Sequence, residues 1–113
     1  MATQVASAER GATRIADRVV AKIAAYAARE ALETVPADGS PPHATVAVHR
    51  GAARVRISMD LGYPADIGGQ CGAVRRHVAH RVRTLTGMEV PEVAVQVERL
   101  HPEGTGTERG RIR

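Results

Sequence analysis

The stretch "DIGGQCGAVRRHVAHRVRTLTG", Asp66 to Gly87, decides the fold. It reads either as a glycine loop that grips a phosphate backbone or as the start of a packed helix. Stepping 100° per residue, Ile67, Cys71, Val74, Val78, Val82 and Leu85 fall within an arc of roughly 80°. Ile67 and Cys71 are in phase with the valines, so the glycines lie inside the helix. Asp66 is its expected N-cap and Gly87 its stop. Three interior glycines cost roughly 1 kcal/mol each against alanine. Gly68, Gly72 and Ala79 share one narrow side, which this reading packs against the first helix.

Working outward, "ATVAVHR" and "RVRISMDL" alternate with period two on either side of Gly51, which predicts a hairpin with one wet face. Ala44, Val46 and Val48 lie on the inner side of the first strand. Val55, Ile57, Met59 and Leu61 line the second, opposite Arg54, Arg56, Ser58 and Asp60. "EVPEVAVQVERL" alternates again, with Val93, Val95 and Val97 inward, and Pro91 marks an edge or a kink. Before the hairpin, Asp17 to Leu32 is helical, with Val19, Ile23, Tyr26 and Ala27 as its apolar stripe, and the Pro-rich loop after Pro36 ends it. The order is α-β-β-α-β. We therefore expect an α+β two-layer sandwich with a small mixed sheet and both helices on one face. A right-handed crossover makes the last strand parallel to the one ending near Leu61. Residues 1–10 and 102–113 read as flexible tails around a single domain at 11–101.

Composition narrows the function classes. The chain has 113 residues, a net charge of +4, and 43% hydrophobic residues with only Tyr26 and Tyr63 as aromatics. Its aliphatic core is thin, which favours self-association. One lysine stands against fifteen arginines, the mark of a high-GC genome as much as of an anionic partner. Cys71 is the sole cysteine, so no intrachain disulfide forms. It sits on an apolar stripe, as a buried cysteine does. No run of about 18 apolar residues occurs, and the opening "MATQVASAERGATR" lacks a signal-peptide core. The expectation is a cytoplasmic protein.

The candidate sites are few. Gly69-Gln70-Cys71-Gly72 is a G-x-x-G, the spacing by which KH domains clamp a nucleic-acid backbone. A KH clamp joins two helices, and the five residues from Tyr63 to Ile67 leave no room for the first of them. His77 and His80 have a metal-ligand spacing, but Arg75, Arg76, Arg81 and Arg83 surround them with positive charge and no carboxylate completes the set. Ser58 has no Asp–His pair, and Asp60, Asp66, Glu89 and Glu92 form no acid–base couple. No catalytic set, cofactor or metal is expected. What remains is a basic surface on the second helix, Arg76, His77, His80 and Arg83, and another at Arg54 and Arg56 on the wet sheet face.

With the elements placed, the chain resembles the alkaline shock protein family of bacterial envelope-stress proteins. The likeness rests on Gly11, Ile15-Ala16-Asp17, Val19 and Ile23-Ala24 at the first helix. In the second half it rests on Tyr63-Pro64, the Ile67-led helix with Val74, Val78 and Val82, and "TGMEVPEVAVQVERL". It covers about residues 11–100. Departures are Pro64 for the usual glycine, Ala16 for a capping serine, the glycines at 68–72 and the Pro-rich loop. The resemblance implies a non-enzymatic, self-associating protein of envelope homeostasis. A membrane-anchoring protein partner would hold it peripherally at the inner face of the cell membrane. The rival reading is a KH-like single-stranded RNA binder using Gly69–Gly72 and the basic face of the second helix.

Overall fold

A computed structural model describes residues 2–32, 36 and 38–102, with side chains from residue 16 onward. The elements run α1 (Ala2–Ala31), β1 (His43–His49), β2 (Ala52–Tyr63), α2 (Ile67–Thr86) and β3 (Glu89–Pro102). The sheet order is β1-β2-β3, with β1 antiparallel and β3 parallel to the central β2. This is the expected α+β order and strand sense.

The core follows from the alternation in β2. Ala53, Val55, Ile57, Met59 and Leu61 are all buried to within 2% exposure, while Arg54 and Arg56 between them face solvent. From α2, Cys71, Val74, Val78 and Val82 close over this row, and from α1, Val20, Ala24, Ala27 and Ala28 do so. α1 lies over β1, α2 lies over β3, and the two helices pack against each other. Among the described residues no helix covers the far face of the sheet.

Turn and cap chemistry is local. Arg50 and Gly51 both have positive φ, at 52° and 75°, which is the two-residue reversal that suits the twist of paired strands. Asp66 caps α2, its Oδ1 accepting from the Gly69 amide at 3.0 Å. Gly87 ends the helix in the left-handed region at φ 73°, its amide bonding the Arg83 carbonyl at 2.9 Å.

Three expectations need correction. α1 begins at Ala2 rather than near Asp17, so residues 2–10, read as a tail, are helical. Polarity suggested the tail, but Ala2, Ala6, Ala8 and Ala12 favour helix, and no proline precedes Pro36. At the other end Pro102 closes β3, and the rest of the expected C-terminal tail, 103–113, lies outside the described residues.

The apolar face of α1 is also turned from its expected position. Val19 is 49% and Tyr26 72% exposed, Ile23 is half-buried, and Val20 and the alanines take the core. Side-chain size misled the reading, because the helix is held close to its neighbours by its smallest residues.

The glycines of α2 do not pack against α1. Gly68 is exposed, and a β-carbon there would meet nothing within 4 Å. Gly72 is buried, but a β-carbon on it would meet Arg76 Nη1 at 3.2 Å and Arg75 Nη2 at 3.9 Å, both side chains of its own helix. The flank of α2 that meets α1 instead carries His77 and Arg81. Gly68→Ala should therefore stabilise the fold by up to about 1 kcal/mol, since it gains helix propensity without a clash. Chemical denaturation would show this as a higher midpoint at unchanged slope, and a lower midpoint would count against an open Gly68.

Candidate interaction surfaces

β2 places Arg54 and Arg56 two residues apart, hence on one face, and the pairing register sets three small side chains and one glutamate beside them. Arg54 lies between Ala47 and Glu92, and Arg56 between Thr45 and Ala94. These six residues border a shallow depression of about 400 Å³ on the open sheet face. Arg54 is already engaged, its Nη1 standing 3.6 Å from Glu92 Oε1, and both side chains are well exposed. Such a pair is worth little in water. Arg56 is exposed beside it.

The second basic group lies on the opposite layer. Arg76, His80 and Arg83 fall within about 60° of one another on the outer side of α2, and all three are exposed. His77 does not belong with them. Its Nε2 contacts Glu30 Oε1 of α1 at 2.8 Å, and Arg81 Nε stands 3.6 Å from the same oxygen. The hydrogen bond with His77 is the main reason that the Glu30 carboxyl is held below its ordinary range. Thus the expected surface of Arg76, His77, His80 and Arg83 loses His77 to helix packing. The whole sheet and core separate what remains from Arg54 and Arg56. The two basic surfaces do not merge.

The G-x-x-G occupies the first turns of α2, with no helix between Tyr63 and Ile67. The Gly69 amide is taken by the Asp66 carboxylate. A phosphate approaching that helix end would meet this negative charge before any free amide. Asp66 argues against a clamp more directly than loop length does. Cys71 is buried and unpaired with another cysteine, as its place on the stripe indicated. Among the described residues, no three His, Cys, Asp or Glu side chains come together as a metal-binding group.

Sequence reasoning missed the strongest polar cluster. Asp60 belongs to the wet side of β2 by alternation, yet it is only 8% exposed. Its Oδ2 accepts from His101 Nε2 at 2.9 Å and from the Ser40 amide at 3.1 Å. These bonds tie β2 to the end of β3 and to the Pro-rich loop. Gly39 packs closely there: a β-carbon on it would stand 3.2 Å from Asp60 and from Pro36, so a larger residue would have to displace one of them by a few tenths of an ångström. The only sequence signal was an acid among arginines and serine on an otherwise basic face. Its partners lie 20 and 41 residues away.

The hydrogen bond from His101, and after it the Ser40 amide, hold the Asp60 carboxyl below its ordinary range. A carboxyl whose pKa is lower folded than unfolded stabilises the fold above the unfolded value. That contribution fades as the pH falls through the lowered folded value. Asp60→Asn should cost roughly 1–3 kcal/mol at neutral pH and weaken the dependence on acid. Urea melts at pH 6 and pH 3 would check this. Equal acid losses in the two proteins would mean that Asp60 is not the linked group.

No family model matches the chain, and no curated protein matches it.

Proposed function

We propose that this protein is a non-enzymatic component of cell-envelope homeostasis, acting through protein–protein contacts and self-association and brought to the membrane by an anchoring partner. The observation that carries the reading is the family-like pattern from Tyr63 to Leu100, which coincides with one structural unit. A strand ends at Tyr63, a capped helix follows with Val74, Val78 and Val82 buried but the expected stripe residues Ile67 and Leu85 exposed, and a valine-alternating parallel strand closes it. Among the described residues no helix is long and apolar enough to cross a membrane, so on this reading recruitment falls to the partner. The exposed Val19 and Tyr26 on α1, and Arg76, His80 and Arg83 on α2, offer the partner both apolar and charged contacts.

A fluorescent fusion, imaged in cells that contain the anchoring partner, should line the cell periphery and shift there further under envelope stress. A fusion that stays diffuse before and after stress would end the proposal.

The RNA-binding alternative draws on the isoelectric point of about 10.2. Separation of the basic groups onto opposite layers and the occupied Gly69 amide weigh against it. Fluorescence anisotropy with a short single-stranded RNA should show weak binding at about 50 mM salt that is lost by about 200 mM, as scattered charge predicts. Micromolar or tighter binding at the higher salt would restore the clamp.

A further inference from the structure

β3 leaves more of its apolar side uncovered than the central strand does, and at the other edge β1 likewise leaves Val46 and Val48 half-buried. In β2 every inward residue from Ala53 to Leu61 is buried, whereas Val90, Val93, Val95 and Val97 in β3 are only half-buried against the same core, and Leu100 is 43% exposed. β3 is also an edge strand of 14 residues, twice the length of β1 at the other edge. Long edges are normally blunted by lysine, proline or bulges. Here Pro91 stands near one end. At the other, Met59 pairs with Val97 and Asp60 with Arg99, so Glu98 has no partner residue on β2. The six residues between, "EVAVQV", hold no proline, lysine or bulge, and Glu92 at their start is their only charge.

We propose that this edge is an antiparallel homodimer interface, in which β3 of a second copy pairs with β3 about a two-fold axis through Val95. This deepens the self-association in the functional reading by naming its surface. The occupant is a second copy because the strand is complementary to itself. In the register where paired residue numbers sum to 190, Val95 meets Val95 of the second copy, Val93 meets Val97, and Val90 meets Leu100. All five incompletely covered positions thereby find apolar partners on the core side, as an isologous interface requires.

Charge neither drives nor forbids this register. Glu89 comes opposite His101, whose Nε2 is held by Asp60. Glu92 comes opposite Glu98, with the exposed Arg54 3.6 Å from Glu92. The strip is roughly 33 Å long for the ten steps from Val90 to Leu100 at about 3.3 Å each, and about 20 Å deep across strand and helix layers. That footprint, on the order of 650 Å² per copy, is close to the roughly 800 Å² of a standard interface. The product is a continuous six-stranded sheet with the helices of both copies on one face.

The register makes a sharp prediction. Directly opposed residues of antiparallel strands have Cα atoms about 4.5–5.5 Å apart, inside the range a disulfide spans. On a Cys71→Ala background, which leaves a single thiol, Val95→Cys should cross-link to dimer under mild oxidation. Gln96→Cys, which faces Ala94 of the second copy, should cross-link several-fold less. Light scattering of the unmodified protein at tens of micromolar should give twice the chain mass of 12.0 kDa. A monomer at that concentration overturns the interface, as does a dimer in which Val95→Cys fails to cross-link or Gln96→Cys does so equally. These outcomes are separable from the localisation test. A monomer leaves recruitment open, and a diffuse fusion leaves the interface standing.

Discussion

The inward row of β2 is the constraint on which the other elements depend. It is paired on both edges, antiparallel to β1 and parallel to β3, and covered by both helices. Its side chains are aliphatic, and no aromatic residue joins the core. A core of this volume can be closed only if the layers come close, and the alanines at 24, 27 and 28 allow α1 to do so. The same economy sets a limit. Helices that present valine, alanine and cysteine seal the central strand but leave β3 partly open at its outer edge. The thin core and the half-covered strand are one fact seen from two sides.

Polar ties then fix what the narrow core leaves loose at its rim. Asp17 Oδ1 accepts from the Val48 amide at 3.0 Å, pinning α1 to the hairpin end of β1. Glu30 joins α1 to α2 through His77 and Arg81. Asp60 gathers Ser40 and His101 at the opposite end of the sheet. Each tie uses one carboxylate to join separate parts of the chain, and Asp60, which joins three, is the most buried of them. A carboxylate that accepts two hydrogen bonds at low exposure contributes more than one in solvent, so the Pro-rich loop is secured better than its composition suggests.

Much of this fold was legible because it rests on periodicity. The helical phase of Val74, Val78 and Val82 and the alternation in β2 are properties of short windows, and both survive into the structure. So are the Asp66 cap and the Gly87 stop. What could not be read depends on distance in three dimensions. Turning α1 by one position, to bring Val20 inward and leave Val19 out, requires knowing how near the sheet lies. The pairing of Asp60 with His101 crosses 41 residues. His77 looked like surface because its partner Glu30 lies on another helix. The candidate surface was thus half legible: which residues are basic is written in the chain, but which of them are spent on neighbours is not.

That division bears on what the positive charge can do. A nucleic-acid groove needs its cations on one continuous surface, since counterion release scales with the phosphates contacted together. Here Arg54 and Arg56 face away from Arg76, His80 and Arg83, with a sheet and a helix layer between them, and Arg54 is already matched by Glu92. Extending the sheet through β3 would widen this separation into two broad faces, one of bare strands bearing Arg54 and Arg56, the other of helices. An assembly with two unlike faces is suited to bridging two different neighbours rather than to gripping one strand. The exposed Val19 and Tyr26 lie on the helical side, so exposed apolar side chains and positive charge coincide there, and the proposed partner contact would draw on that face.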